Sequence, residues 1–142
     1  SEVYVNGVAK VLKKILEHDI RNIRLCGMNF VYLLNILNQN SIDELKIINP
    51  DPWHKKRHLK RRLVNLENII KIIGIVKNKY ASYITTDSES YFNYINEIFS
   101  SNSKIIHENK NKILSKNDRL YDVSRYQRKA IKNGKKIYQL TF

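Results

Sequence analysis

The sequence predicts an α/β protein in which helices pack on a largely parallel sheet. Helical and strand patterns alternate along most of its 142 residues, and such alternation is typical of this fold class. Apolar residues make up 42% of the chain, which is enough for one hydrophobic core in a domain of this length. Ligands of such sheets bind beyond the carboxyl ends of the strands, so polar residues that follow predicted strands are candidates for a functional site.

Five helices are predicted where apolar residues recur three or four positions apart and polar residues fill the other face. They cover residues 4–18, 30–37 and 60–73, the segment that carries Tyr91 to Phe99, and residues 124–132. Gly74 is expected to close the third helix, and Asp87 or Ser88 to cap the fourth.

Five short strands are predicted from apolar or alternating runs. They cover residues 22–26, 44–49, 80–86, 103–108 and 135–142. The second strand ends at Pro50, because proline lacks the amide hydrogen that a central strand requires. Residues 109–122 show no clear period and are predicted to be a loop, and Asn133 with Gly134 is expected to form a turn before the last strand.

The chain is strongly basic. Lys and Arg number 26 against 13 Asp and Glu, a net charge of +13. This excess favours a polyanionic partner, with nucleic acid ahead of an anionic membrane. The alternative is a charge that only keeps the protein in solution.

Cysteine and histidine usage excludes two kinds of site. Cys26 is the single cysteine, so an intrachain disulfide and a thiolate zinc cluster are excluded, and a reducing compartment fits best. The four histidines are scattered without ligand partners at metal-binding spacing, so we expect no metal. The longest apolar run is far shorter than a membrane span, and we expect a cytoplasmic protein without a membrane partner.

The segment "INPDPWHKKRHLKRR" is the main candidate site. Asp51 follows a predicted strand, and Pro50 and Pro52 fix the backbone on either side of it, so its carboxylate is expected at the rim of the sheet. Trp53 offers a flat face on which a base could stack. The alternatives are an ordinary Pro-Asp turn and a core tryptophan.

A dense cationic run follows the tryptophan. Its basic residues are Lys55, Lys56, Arg57, Lys60, Arg61 and Arg62. On an α-helix, Lys56 with Lys60 and Arg57 with Arg61 are like-charged pairs four residues apart, which repel. Phosphates of an RNA backbone would relieve this repulsion, so we predict RNA-backbone contacts for Lys56, Arg57, Lys60, Arg61 and Arg62. A solvated helix face is the simpler alternative.

The sequence also resembles a known family. "NPDPWHKKRHLKRRLV" is similar to the signature "FPDPWPKKRHxKRRL" of the bacterial tRNA (guanine-N7)-methyltransferases, "YITTDSESYFNYI" to their Thr-Asp segment, and "SRYQRKAIKNGKKIYQLTF" to their closing segment. The resemblance covers nearly the whole chain. It implies a Rossmann-like class I methyltransferase fold, S-adenosylmethionine as cofactor, tRNA as partner, and methyl transfer to N7 of a variable-loop guanine.

The resemblance also implies roles for single residues. Glu2 stands where the family binds the ribose hydroxyls of S-adenosylmethionine, and Asn29 stands near the adenine, where the family usually has aspartate. Asp51 matches the aspartate assigned to cofactor binding and catalysis. The matching substrate-binding positions are Lys55, Asp87, Ser124, Arg125, Tyr126 and Gln127. Gln127 replaces a glutamate of the family.

The resemblance begins at the acidic residue that ends the family's second strand. The first strand and its Gly-rich turn, which hold the methionine part of the cofactor, have no counterpart in residues 1–142. We therefore expect the C-terminal portion of a single methyltransferase domain, with an unfilled slot in the sheet, either a fragment or a decayed product, that does not methylate alone. The alternative is a noncatalytic basic RNA-binding module. A DNA-binding protein fits less well, because the chain has no helix-turn-helix or zinc spacing.

Overall fold

The computed structural model describes residues 1–77, 81–101 and 110–142. In these residues the chain forms five α-helices, one 3₁₀ helix and four strands. The α-helices are α1 Val5–Glu17, α2 Phe30–Leu34, α3 Leu66–Ile75, α4 Glu89–Ser101 and α5 Arg125–Lys132. The 3₁₀ helix is Lys56–Arg61. The strands are β1 Lys46–Ile48, β2 Tyr83–Thr86, β3 Lys110–Ile113 and β4 Tyr138–Thr141.

The four strands form one sheet in the order β1-β2-β4-β3. Strands β1 and β2 are parallel, with Ile47 opposite Ile84, whereas β4 is antiparallel to both β2 and β3. Three of the described strands therefore run in one direction and β4 runs against them. The predicted mixture of helices and sheet is confirmed, but two of the three pairings are antiparallel, because β4 lies between β2 and β3.

Three sequence predictions were wrong. Residues 22–26 form no strand. A strand needs a paired ladder, whereas within the described residues this segment makes one backbone bond, from the N–H of Glu2 to the carbonyl of Cys26 at 3.0 Å. The segment 109–122 is not all loop, since it contains β3, whose four residues are exposed and so show no apolar period. Gly74 lies inside α3, which ends at Ile75.

The other elements agree with the predictions apart from their ends. The helix expected over residues 60–73 is divided into the 3₁₀ helix and α3. The strand expected over residues 103–108 lies outside the described residues. Asn133 and Gly134 end α5, with Gly134 at φ +70° and the N–H of Lys135 bonded to the Ala130 carbonyl at 3.0 Å. This is a left-handed helix cap and not a hairpin turn.

Polar side chains cap four of the described α-helices, α2 through Asn29 and three others. The Oδ1 of Asn65 accepts from the N–H of Asn68 at 2.9 Å, and the Oγ of Ser124 accepts from the N–H of Gln127 at 3.1 Å. Of the two residues expected to cap α4, Ser88 does so, with its Oγ 3.4 Å from the N of Tyr91. These bonds satisfy donors that a helix start otherwise leaves unpaired.

The chain consists of two compact units, residues 1–37 and residues 38–142, called here the N-terminal unit and the C-terminal unit. The C-terminal unit has a core of side chains from α3, the sheet and α4, among them Ile69, Ile72, Ile84, Ile95 and Leu140. A second cluster contains Leu114, Leu120, Ala130 and Ile137. In the N-terminal unit, Leu34 is the buried residue of α2, and α1 buries none of its residues. Among the described helices, none has the length and apolarity needed to cross a membrane.

Candidate active site at the carboxyl ends of β1 and β2

The loop that carries Asp51 leaves the sheet through a tight, hydrogen-bonded path. Asn49 follows β1 directly, with φ +48°, and its N–H donates to the carbonyl of Thr85 on β2 at 2.9 Å. Asp51 is exposed, and its Oδ1 accepts from the N–H of Trp53 at 3.1 Å. Aspartate favours this local turn, so one carboxylate oxygen is used to shape the loop.

Arg62 anchors the same loop from inside the domain. Its Nε donates to the carbonyl of Pro52 at 2.9 Å, and its guanidinium lies 4.6 Å from the ring centre of Tyr91 and 4.8 Å from that of Tyr94. Arg62 is only 7% exposed. The structure thus places this predicted phosphate-contacting residue against two aromatic rings, where it holds the loop.

Tyr91 is the centre of this anchor. Its hydroxyl oxygen accepts from the N–H of Val64 at 3.0 Å, which ties the segment after the 3₁₀ helix to α4. Burial raises the pKa of Tyr91 to about 12, an effect that the Val64 hydrogen bond and the positive charge of Arg62 partly offset. The neutral phenol therefore persists through the physiological range.

The cationic run forms a short 3₁₀ helix rather than the expected α-helix. A 3₁₀ helix has three residues per turn, so residues three apart eclipse each other. Arg57 therefore lies over Lys60, in place of the predicted pairs four residues apart. Exposed side chains line this surface, from Lys55, Lys56, Arg57, Lys60 and Arg61. In the part of the chain that the structure describes, none of the five forms an ion pair.

Trp53 packs against the cationic run. It has φ +43°, the guanidinium of Arg61 lies 5.2 Å from its ring centre, and His58 meets it edge-on at 5.5 Å. This cation–π contact holds one end of the 3₁₀ helix beside the Asp51 loop. One face of the predicted base-stacking surface is therefore already used within the protein.

Asp87 follows β2 as Asp51 follows β1. Because β1 and β2 are parallel neighbours, both carboxylates lie beyond the same edge of the sheet. The Oδ2 of Asp87 is 2.9 Å from the Nζ of Lys135, and the aspartate side chain is 26% exposed. The structure thus brings together two of the predicted site aspartates and adds a lysine that the sequence did not single out.

The start of α5 lies next to this edge. Ser124 caps the helix, Arg125 is exposed, and Tyr126 is 74% exposed. Gln127 is fully buried instead. Its Oε1 accepts from the N–H of Val123 at 2.9 Å and its Nε2 donates to the Oγ1 of Thr85 at 3.3 Å.

Glu2 and Asn29 belong to the N-terminal unit. The Oε1 of Glu2 accepts from the N–H of Tyr4 at 2.7 Å, at the start of α1. A side chain at Gly7 would come within 3.2 Å of the Cγ of Glu2, so glycine there leaves room for the carboxylate. Asn29 caps α2, with its Oδ1 accepting from the N–H of Val31 at 3.0 Å. Both side chains are exposed.

Several residues that shape the site escaped the sequence analysis. They are Asn49, Thr85, Tyr91, Tyr94 and Lys135. An asparagine between a strand and a proline is a recognisable signal for a left-handed turn residue. The others could not be found, because their roles depend on neighbours far away in sequence. Within the described residues, no three His, Cys, Asp or Glu side chains form a group that could hold a metal.

Asp51 and Asp87 lie beyond two neighbouring parallel strands, and the exposed cationic 3₁₀ helix lies beside Asp51. An α/β domain with this arrangement is suited to binding a polar, anionic ligand. A family model described as "Putative methyltransferase" matches residues 1–140. The chain belongs to this methyltransferase family.

Named relatives agree with this assignment. The chain is 38% identical over 131 residues to a "Bifunctional methyltransferase" of Rickettsia felis, covering 92% of this chain and 25% of that protein. It is 33% identical over 144 residues to the "tRNA (guanine-N(7)-)-methyltransferase" of Bartonella henselae, covering 99% of this chain and 62% of the relative. The corresponding Legionella pneumophila enzyme is 30% identical over 142 residues, covering 99% of this chain and 60% of that protein. The chain thus spans from a quarter to about three fifths of these relatives.

Proposed function

We propose that this chain takes part in methyl transfer from S-adenosylmethionine to N7 of a guanine in tRNA, on a Rossmann-like class I methyltransferase fold in the cytoplasm. The observation that carries the proposal is the loop after β1, where Asp51 is held beside an exposed cationic helix at the carboxyl edge of the sheet. Membership of the methyltransferase family and the similarity to the Bartonella and Legionella tRNA (guanine-N(7)-)-methyltransferases support it.

Glu2 and Asn29 have the chemistry that a nucleoside requires. Within the described part of the chain, the second carboxylate oxygen of Glu2 carries no hydrogen bond, and neither does the Nδ2 of Asn29. We assign Glu2 to accept from ribose hydroxyls and Asn29 to donate to an adenine ring nitrogen. S-adenosylmethionine supplies the methyl group on a positively charged sulfur.

Asp51 is assigned an orienting role. N7 of guanine carries a lone pair and no proton, so methyl transfer requires alignment of the two substrates more than a general base. In the described residues the Oδ2 of Asp51 has no hydrogen-bond partner. We propose that this oxygen accepts from a guanine N–H or from the cofactor's ammonium group and so fixes the approach geometry.

The substrate residues follow the same edge of the sheet. Asp87 is proposed to accept from guanine, with its carboxylate held by the ion pair to Lys135 at 2.9 Å. Lys55 and the segment Ser124, Arg125 and Tyr126 complete the predicted substrate contacts. Gln127 is buried, so we assign it no substrate contact. The phosphate contacts are assigned to the exposed cations of the 3₁₀ helix, Lys56, Arg57, Lys60 and Arg61.

Substitution of Asp51 tests this proposal. With Asp51→Ala in a complete family enzyme that contains these residues, we expect methyl transfer to tRNA to fall by at least about 100-fold, because alignment is lost, while tRNA affinity at fixed salt changes little. Transfer of a labelled methyl group measures the first quantity and filter binding the second. The matched control is Asp43→Ala, which removes a carboxylate paired with Lys77 at the surface. Unchanged methylation by Asp51→Ala would refute the assignment.

The second candidate is a noncatalytic RNA-binding module. The exposed cations of the 3₁₀ helix support it as well as they support the enzyme. Salt-dependent tRNA binding is expected in both cases, so it does not separate them. Calorimetric titration with S-adenosylmethionine does, since tRNA binding without cofactor binding favours the module.

A further inference from the structure

A chain of three polar side chains, two of them fully buried, links α5 to the loop that carries Asp51. The Nε2 of Gln127 donates to the Oγ1 of Thr85 at 3.3 Å, and that hydroxyl lies 3.1 Å from the Oδ1 of Asn49, which accepts its proton. Thr85 and Gln127 are both fully buried. Asn49 also binds Thr85 through its backbone N–H, at 2.9 Å.

The direction of these hydrogen bonds is fixed at one end. The N–H of Val123 can only donate, and it donates to Oε1 of Gln127. The amide of Gln127 must therefore present Nε2 to Thr85, and the single proton of Thr85 is left for the Oδ1 of Asn49. The amide of Asn49 is thereby oriented, and its Nδ2 is buried without a partner in the described structure.

Asn49 is the residue from which the loop departs. Its φ of +48° lies in the left-handed region, which asparagine tolerates better than most residues. Asp51 lies two residues further on. A residue that is held by both its backbone and its side chain gives the loop a defined starting direction.

We propose that Gln127 and Thr85 are positioning residues that orient the Asn49 amide and thereby hold the Asp51 loop in the geometry for methyl transfer. This inference rests on the proposed function and deepens it. It gives Gln127 a role inside the protein in place of the substrate contact that the family resemblance implies. We call these three residues the Gln127 relay.

A glutamate at position 127 changes the relay in a pH-dependent way. A buried carboxyl has a raised pKa. When protonated, it can still accept from Val123 and donate to Thr85, as glutamine does. When ionised, it can only accept, so it takes the proton of Thr85 and leaves the Oδ1 of Asn49 without a donor.

The first experiment measures kcat and KM for tRNA across about pH 6 to 9 for the protein and its Gln127→Glu variant. We expect kcat of Gln127→Glu to match the parent at low pH and to fall about fivefold to tenfold as pH rises, with KM for tRNA unchanged. If residue 127 served only in packing, Gln127→Glu would add no pH-dependent fall in kcat. A pH profile parallel to that of the parent overturns the proposal.

The second experiment separates the relay from general damage to the sheet. Asn49→Gly keeps the left-handed backbone but removes the acceptor, and Asn49→Asp keeps the acceptor. We expect Asn49→Gly and Thr85→Val each to lower kcat about fivefold to tenfold. The double variant should have a kcat no lower than either single variant. Asn49→Asp should keep the kcat of the parent. Thr141→Val, a partly buried strand threonine outside the relay, is the control with unchanged kcat. Fully additive losses contradict the relay.

The same variants keep the relay testable if the parent does not methylate tRNA. In that case calorimetric titration with S-adenosylmethionine tests the proposed function, and the relay is judged by urea unfolding. If Asn49→Gly and Thr85→Val lower the unfolding free energy non-additively, the hydrogen-bonded relay is supported. Additive losses there reject it, whatever the activity.

Discussion

Helices α1 and α4 each have 13 residues, and apolar positions recur with helical spacing in both. Yet α4 buries Tyr91, Ile95 and Phe99, whereas α1 buries no residue and leaves Leu16 81% exposed. The same difference in burial holds for the two units to which these helices belong. Among the described residues, ten of the sixteen exposed large hydrophobic side chains belong to the N-terminal unit, and fifteen of the sixteen buried hydrophobic residues belong to the C-terminal unit.

This comparison separates two meanings of an amphipathic pattern. The spacing predicts that a helix forms and which face is apolar. It does not predict how much area that face buries, and burial supplies most of the stability. Asp51 and Asp87, which are assigned to the guanine, lie in the well-packed C-terminal unit. Glu2 and Asn29, which are assigned to the cofactor, lie in the N-terminal unit, which has little core.

The largest expected effect is a difference between matched core and surface truncations. Ile72→Ala removes a fully buried side chain of α3 and should lower the free energy of unfolding by about 2 to 5 kcal/mol. Leu16→Ala in α1 should change it by no more than about 0.5 kcal/mol. Urea unfolding followed by circular dichroism measures both. Equal losses would show that α1 is packed in solution and would remove the contrast between the units.

The next effect concerns the anchor of the Asp51 loop. Arg62→Met removes the guanidinium between two tyrosines and leaves the Pro52 carbonyl without its donor. We expect a loss of about 1.5 to 3 kcal/mol in unfolding free energy. Arg61→Met, which changes an exposed neighbour, is the control and should cost less than about 1 kcal/mol. If the two variants lose equal stability, Arg62 is not the anchor.

Burial of Tyr91 predicts a stability that depends on alkaline pH. The pKa is about 12 in the folded protein and 10.0 when unperturbed, so the unfolded state loses its proton first. The stabilisation is complete below pH 10.0 and is lost as pH rises through about 12, by about 3 kcal/mol in total. The difference in unfolding free energy between the parent and Tyr91→Phe, measured at several pH values, isolates this contribution from the titrating lysines. A difference independent of pH would contradict it.

The smallest effect tests whether charge differs between the units as burial does. Arg57→Ala with Lys60→Ala removes two exposed cations of the 3₁₀ helix, and we expect the slope of log affinity for tRNA against log salt to become shallower by about 1 to 2. Lys10→Ala with Lys13→Ala removes the same charge from α1 and should leave the slope nearly unchanged. Binding measured between about 0.05 and 0.2 M salt gives both slopes. Equal changes would mean that net charge, and not this surface, binds the RNA.

Elements with a local signal in the sequence were predicted correctly. Helices α1, α4 and α5, strands β1 and β2, and the Ser88 cap all have recognisable patterns in neighbouring residues. Strand β3 was not predicted, because an exposed strand has no apolar period, and residues 22–26 were predicted wrongly, because an apolar run forms a strand only when a ladder partner is available. The short 3₁₀ helix was also missed, since apolar spacing does not distinguish it from the start of an α-helix.

The features of the candidate site also fall into those with a local sequence signal and those set by distant contacts. The sequence by itself determined that Asp51 lies between two prolines at a strand end, that an excess of cations follows it, and that the chain resembles the tRNA (guanine-N7)-methyltransferases. These are properties of adjacent residues, and backbone restriction and charge act locally. Only the tertiary structure decided that Arg62 is buried against Tyr91 and Tyr94, that Lys135 pairs with Asp87, and that Gln127 bonds to Thr85. Those contacts join residues 29 to 48 positions apart, and only packing of the folded chain brings such residues within hydrogen-bonding or van der Waals distance.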